Sequence, residues 1–195
     1  MRWNKLADER CSIARTVSVI GDRWTLLILR DSFLGIRHFE AFEARLGITR
    51  HVLADRLRKL VDEGVLKKVP YHDRQVRFEY WLTQKGLDLY PVLMGIVHWG
   101  DTYMAGDEGR PVLHRHLTCG HDFDPVLICS VCRQPVDPRE VRVAPGPGAS
   151  AADAPPVSPT PDQVTVTMPK PDGDQHDHAA DAKLHKPYTR CCRAA

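Results

Sequence analysis

The spacing of apolar residues switches from helical to alternating at Gly64, and that change limits the fold more than any other feature. Before it, apolar side chains recur at helical spacing in four blocks. Ile13, Val17 and Ile20 lead up to Gly21. Asp22 is placed to cap a second helix whose inner face carries Trp24, Leu27, Ile28 and Leu34. Phe39, Phe42 and Leu46 make a short third helix stopping at Gly47. Thr49 is placed to cap a fourth, with Leu53, Leu57 and Leu60 on one face and Gly64 closing its end. After Gly64 the pattern alternates, so residues 65–69 and 76–82 read as two strands joined by the polar turn 71–75. Thr83 then caps a last helix running to about Met104, which Pro91 is expected to kink or split. Leu87, Tyr90, Met94 and Val97 form one apolar stripe on it, and Leu89, Val92, Ile96, Trp99 and Tyr103 a second. A small monomer rarely needs both, so the second is expected to face another subunit.

A short helix, a turn at Gly47, a helix with outward basic residues and then a hairpin is the order of a winged helix-turn-helix. The predicted class is therefore mainly α with a small β-hairpin (α+β). With Leu53, Leu57 and Leu60 inward, His51, Asp55 and Arg58 turn outward, flanked by Arg50, Ala54 and Lys59. Arg and His donate to guanine acceptors in a major groove, and an Asp accepts from cytosine. At the hairpin tip, Arg74 with His72 and Gln75 is placed to reach a minor groove or phosphates. The net charge is only +2, but residues 45–77 hold nine basic side chains (Arg45, Arg50, Arg56, Arg58, Lys59, Lys67, Lys68, Arg74, Arg77) against four acidic ones, a local excess of 9 − 4 = +5. The same side chains would also suit a merely solvated helix, with Asp55 paired to Arg58 or Lys59.

Several stretches together resemble the HxlR-type winged-helix transcriptional regulators, relatives of the MarR group. They are Cys11-Ser12-Ile13-Ala14, Ile20-Gly21-Asp22-Arg23-Trp24-Thr25-Leu26-Leu27-Ile28-Leu29-Arg30, Gly35-Ile36-Arg37-His38-Phe39, Leu53-Ala54-Asp55-Arg56-Leu57-Arg58-Lys59-Leu60 and Glu79-Tyr80-Trp81-Leu82-Thr83-Gln84-Lys85-Gly86. The resemblance covers roughly residues 11–100. It implies a homodimer, joined through its terminal helices, that binds a pseudo-palindromic operator in double-stranded DNA. Carried onto this chain, it implies DNA contacts from Thr49, Arg50, His51 and Arg58, and from a wing at His72 to Arg77, which includes Arg74 and Gln75. It also implies that Cys11 occupies a position where some members sense oxidants or electrophiles. Arg10 and Arg15 stand close in sequence to favour its thiolate, while a structural thiol is the plainer reading.

Composition marks two further segments. Residues 1–105 hold all four tryptophans and four of the five phenylalanines, as expected of the packed domain. Residues 106–143 hold Cys119, Cys129 and Cys132 but little apolar material. His116-Leu117-Thr118-Cys119 and Cys129-Ser130-Val131-Cys132 are two ligand-x-x-Cys pairs at the spacing of a closed, structural, tetrahedral zinc (Zn2+) site, so a small zinc-ribbon-like module is expected. His116 is favoured as fourth ligand because it repeats the two-residue gap. His121 competes, and His114 is weaker. From 144 to 195 the chain is rich in Pro, Ala and Asp, with nine of the fifteen prolines beyond residue 143, and reads as a disordered tail.

No run of eighteen apolar residues occurs and the first ten residues do not read as a signal peptide, so a soluble, cytoplasmic, nucleoid-associated protein without a membrane partner is expected. No catalytic set stands out, and the chain is read as a non-enzyme. The rivals are an interaction module built on the ribbon and a thiol oxidoreductase using Cys129 and Cys132. A redox Cys-x-x-Cys needs a helix N-terminus to activate its first thiol, and Pro135 argues against a helix there.

Overall fold

A computed structural model describes residues 7–71 and 77–149. The chain divides into two units. The first is Met1–Val136 with Pro145–Pro155, and the second is Asp137–Ala144 with Pro156–Ala195. In the first, helices α1 (Ser12–Ile20), α2 (Arg23–Phe33), α3 (Phe39–Leu46) and α4 (Arg50–Asp62) precede the antiparallel strands β1 (Leu66–Tyr71) and β2 (Arg77–Leu82). A single turn α5 (Gln84–Leu87), helix α6 (Tyr90–Met104) and the two-residue strands β3 (Arg115–His116) and β4 (His121–Asp122) follow. The described part of the second unit holds a 3-10 turn, Pro138–Glu140, capped by the Asp137 carboxylate.

The helical blocks follow from their caps. α1 stops at Gly21, whose N–H donates to the Val17 carbonyl. The Asp22 carboxylate accepts from the N–H groups of Trp24 and Thr25 and so starts α2. α3 ends at Gly47 with φ 62°, and Gly64 has φ 67°; both are left-handed conformations that glycine adopts without steric cost. The β1–β2 register pairs Leu66 with Leu82 and Tyr71 with Arg77. The expected split at Pro91 occurs: Thr83 caps α5 by accepting from the Gly86 N–H, and Pro91 sits in the first turn of α6, where no N–H is needed.

Ile20, Ile28, Leu29, Phe42, Ile48, Leu53, Leu57, Leu60, Val65 and Leu66 form the core. Two expectations are corrected here. The core contains no tryptophan among the described residues: Trp24 is part-buried at its edge, Trp81 lies under the Arg37 guanidinium (3.3 Å to the ring centroid), and Trp99 is 58% exposed. Close helix–helix packing is filled by branched aliphatics and one Phe, and the indoles cover the margins. The inner face of α2 is Thr25, Ile28, Leu29 and Asp31; of the predicted face Ile28 is fully buried and Trp24 packs at the core's edge, but Leu34 is the exposed C-cap. The reason is polar. Asp31 is fully buried and accepts from the Nε of Arg45 on α3 and of neighbouring Arg30, both at 2.9 Å, which turns α2 away from the orientation that apolar spacing suggests.

A second ion pair ties α2 to α4. Asp22 accepts from Arg56 Nε at 2.8 Å and Nη2 at 3.3 Å while it caps α2. The Arg56 hydrogen bond is the main cause holding the Asp22 carboxyl below the usual aspartate range. Asp22→Ala loses cap and pair together and is expected to cost about 1–2 kcal/mol; Asp22→Asn keeps the cap and costs under about 1 kcal/mol, because the pair is one-third exposed. A folded-state pKa below the unfolded one places that stabilisation above pH ~4, and it is lost as pH falls through the folded value. Denaturant melts should therefore show wild type and Asp22→Asn apart at pH 7 and converging in acid; a constant gap would contradict the ion pair.

Candidate nucleic-acid interface and cysteine turns

The turn from α3 to α4 is Gly47-Ile48-Thr49, with Ile48 buried and Thr49 exposed. Thr49 occupies the N-cap position of α4, as expected, but its hydroxyl makes no capping bond. With Leu53, Leu57 and Leu60 fully buried, the opposite face of α4 shows Arg50, His51 and Arg58 to solvent. These side chains are already paired. Arg50 Nη1 donates to Glu43 of α3 at 2.6 Å, with its guanidinium 4.8 Å from the Phe39 ring centroid. Asp55 accepts from Arg58 at 3.1 Å and faces His51 Nε2 at 3.2 Å. Lys59 is placed differently: its ammonium donates to the Ser18 carbonyl of α1 and so turns from the outer face.

The local basic excess is thus divided. Arg45, Arg56 and Lys59 are committed to Asp31, Asp22 and Ser18 inside the domain. Arg50 and Arg58 on α4, with Lys67, Lys68 and Arg77 on the hairpin, lie on the exterior. The residues that sequence reasoning missed are Arg37 and His38, which add a short edge beside the middle of β2. Arg37's carbonyl accepts from the Tyr80 N–H, and His38 bridges to Glu79. A lone two-residue edge has no periodic signal to find. His72, Arg74 and Gln75 lie outside the described residues.

Cys11 is exposed at the N-cap of α1. Arg15 is not aimed at its thiol; the guanidinium donates to the Glu9 carbonyl at 2.6 Å. Val92, Ile96, Trp99 and Tyr103 form a bare strip along α6, continuous with a groove lined by Ile13, Val17 and Leu26. Met94, Val97, His98 and Asp101, on the opposite side of α6, face residues 110–125 of the cysteine segment, where Arg110 pairs with Asp124.

In that segment His116 Nδ1 lies 3.3 Å from Cys119 Sγ. The Cys129 thiol is held below the ordinary thiol range, first by the Cys132 N–H, then by the Val131 N–H and the Cys132 side chain. Cys129 and Cys132 sit in a turn rather than at a helix N-terminus, which lacks the dipole that a redox Cys-x-x-Cys uses. Among the described residues no three His, Cys, Asp or Glu side chains converge closely enough to hold a metal. No described helix is long and apolar enough to cross a membrane.

Helix, turn, exposed basic helix and hairpin define a helix-turn-helix protein with a wing. The description HxlR-like helix-turn-helix matches residues 19–108. An uncharacterised HTH-type transcriptional regulator of Mycobacterium tuberculosis is 44% identical over 136 residues, 70% of this chain and 86% of its own length. Another from Bacillus subtilis, YvaP, is 35% identical over 91 residues, 46% of this chain and 84% of its own. Among solved structures, the transcription-factor candidate PA1607 superposes with a TM-score of 0.65 at 34% identity, over 71% of this chain and 96% of its own; PA1374 from Pseudomonas aeruginosa does so with 0.53 at 34%, over 73% and 97%. The chain belongs to the HxlR-like helix-turn-helix family of transcriptional regulators.

The paired outer face of α4 has a measurable consequence. Asp55→Asn releases His51 and Arg58 from a carboxylate, and exposed pairs contribute only about 0.2–1 kcal/mol. The variant should melt within about 1 kcal/mol of wild type yet elute from a heparin column at higher salt. Elution at unchanged salt would mean this face does not meet polyanions.

Proposed function

We propose that this protein is a homodimeric transcriptional regulator that reads a pseudo-palindromic operator in double-stranded DNA, with α4 in the major groove and the hairpin against the minor groove or phosphates. The observation that carries the reading is the division of α4: three leucines fully buried, and Arg50, His51 and Arg58 on the opposite face. The resting pairs do not oppose it. Exchanging Glu43 or Asp55 for a nucleic-acid acceptor forfeits an exposed pair of about 0.2–1 kcal/mol, whereas a bidentate Arg–guanine contact contributes about 1–3 kcal/mol of discrimination. Thr49, whose hydroxyl is not used in capping, stands at the α4 N-terminus, where backbone N–H groups favour a phosphate. Arg77, in the strand pair next to the hairpin tip, supplies backbone contacts with the wing residues His72, Arg74 and Gln75. Lys59 supports α1 instead. A single α4 reads only a few base pairs, so two copies are required, joined through the bare strip of α6 and the groove beside α1. Operator binding places the protein with the chromosome in the cytoplasm and requires no catalytic step.

Selection from a random duplex pool supplies the operator for the test. On it, Arg50→Ala or Arg58→Ala should weaken binding by about 1–3 kcal/mol and relax preference at one position of each half-site, while Arg77→Ala should weaken all duplexes alike and reduce the salt dependence. Ile96→Asp should yield monomers by light scattering and lose operator affinity. A selection that enriches no sequence, or a monomeric wild type that binds as tightly as a dimer, overturns the reading.

A finer reading follows from the exposure of Cys11 at the start of α1, beside the same groove. Modification of its thiol by an oxidant or electrophile would add bulk at the subunit boundary and change the spacing of the two α4 helices. Diamide or quinone should release wild type from the operator and leave Cys11→Ser bound; equal loss in both excludes Cys11 as the sensor.

A further inference from the structure

The cysteine segment contains the same turn twice. In the first, the Gly120 N–H donates to the His116 carbonyl at 2.8 Å, Gly120 is left-handed at φ 71°, and the Phe123 N–H donates to the His114 carbonyl at 2.9 Å. Adding thirteen to each number gives the second: the Arg133 N–H donates to the Cys129 carbonyl at 2.9 Å, Arg133 is left-handed at φ 62°, and the Val136 N–H donates to the Leu127 carbonyl at 2.9 Å. The antiparallel bridges agree, β3–β4 closing the first hairpin and Ile128 with Pro135 the second. Arg133 is the one non-glycine residue with positive φ among those described. A side chain tolerates that conformation where a turn demands it.

The repeat places His116 and Cys129 at one position of the turn and Cys119 and Cys132 at another. These are the residue types and the spacing that bind zinc. His121, by contrast, falls where the second turn has Gln134, which is no zinc ligand. The His116–Cys119 separation of 3.3 Å is close to the ~3.5 Å that separates a nitrogen and a sulfur bound to one tetrahedral zinc. Apolar burial contributes little to the segment, whose other described ties are the surface ion pairs Arg115–Asp122 and Arg110–Asp124: Leu117 and Val131, within the two turns, are 91% and 89% exposed, and Leu127 and Leu113 are also exposed. The matched stretch of 136 residues in the M. tuberculosis relative is longer than residues 1–105, so the match extends beyond the winged helix.

We propose that the two turns are paired knuckles that close on one zinc ion per chain, held by His116, Cys119, Cys129 and Cys132. Each pair is formed within its own turn, and the metal draws the two pairs together. Three thiols lose their protons on binding and the imidazole binds neutral. Four protein ligands leave no position for water, and the ion is structural. It would staple residues 114–136 behind α6, on the side opposite the bare strip.

Untagged full-length protein, expressed without added zinc, should carry about one zinc per chain by mass-spectrometric metal analysis. Its reduced, metal-free form should take up cobalt(II) with the absorption of a tetrahedral thiolate site. Cys119→Ser and Cys132→Ser should lose both signals, and His116→Ala should bind cobalt at least tenfold more weakly. Cys11→Ser, His121→Ala and the double variant Cys191→Ser with Cys192→Ser should keep them. Chelation should expose residues 114–136 to protease while the α1–α4 domain stays resistant, so a lost signal is not global unfolding. Full zinc in Cys132→Ser, no cobalt uptake by wild type, or loss in His121→Ala with retention in His116→Ala would each overturn the proposal, as would a Cys129–Cys132 disulfide in protein isolated from reducing cells.

Discussion

The Asp22 carboxylate is the constraint on which the rest of the interface depends. It starts α2 by accepting from two backbone N–H groups at Oδ1 and fixes α4 through Arg56, which donates to Oδ1 and Oδ2. Truncating any one of Leu53, Leu57 or Leu60 would cost about 2–5 kcal/mol, against about 1 kcal/mol for a part-exposed ion pair, so burial decides that α4 packs here. Burial of leucine is nearly indifferent to a small rotation of the helix, however, and a hydrogen-bonded ion pair is not. Asp22–Arg56 and Asp31–Arg45 set the rotations of α4 and α3 against α2, and with them the direction in which Arg50, His51 and Arg58 point.

The charge of the interface is arranged for exchange rather than simple attraction. Arg50 rests on Glu43, and Arg58 and His51 rest on Asp55, so the outer face of α4 is close to neutral when nothing is bound. A diffuse polyanion gains little by displacing those carboxylates, whereas an acceptor pair of the right geometry gains more than it displaces. The hairpin differs: Lys67 is exposed, and the Lys68 ammonium rests over the Phe78 ring at 3.8 Å. In the proposed complex, discrimination would belong to α4 and electrostatic attraction to Lys67 and Lys68 of the hairpin.

The order of elements was legible because glycines and helical spacing mark it: Gly21, Gly47, Gly64 and the leucines of α4 all stand where the pattern places them. The rotation of α2 was not, because Asp31 is a charged residue on a buried face and apolar periodicity does not count it. Lys59 looked like a groove contact on a helical wheel, but its acceptor, the Ser18 carbonyl, is a backbone atom of a distant helix and has no sequence signature. Tryptophan content located the domain but not its core. In the cysteine segment, ligand spacing was visible in the sequence, whereas the thirteen-residue repeat is carried by hydrogen bonds and by a left-handed Arg133, neither of which composition reveals. The bare strip of α6 was legible as a surplus apolar stripe, except for Leu89, which packs on the core.

The central claim is that two copies of α4, oriented by Asp22 and Asp31, read adjacent turns of one DNA face. Hydroxyl-radical footprinting on a selected operator tests this most directly. The account predicts two protected blocks related by a dyad, with centres about 10–10.5 base pairs or a multiple apart. One continuous protected block without a dyad, or protection that shifts freely along the duplex, would contradict it.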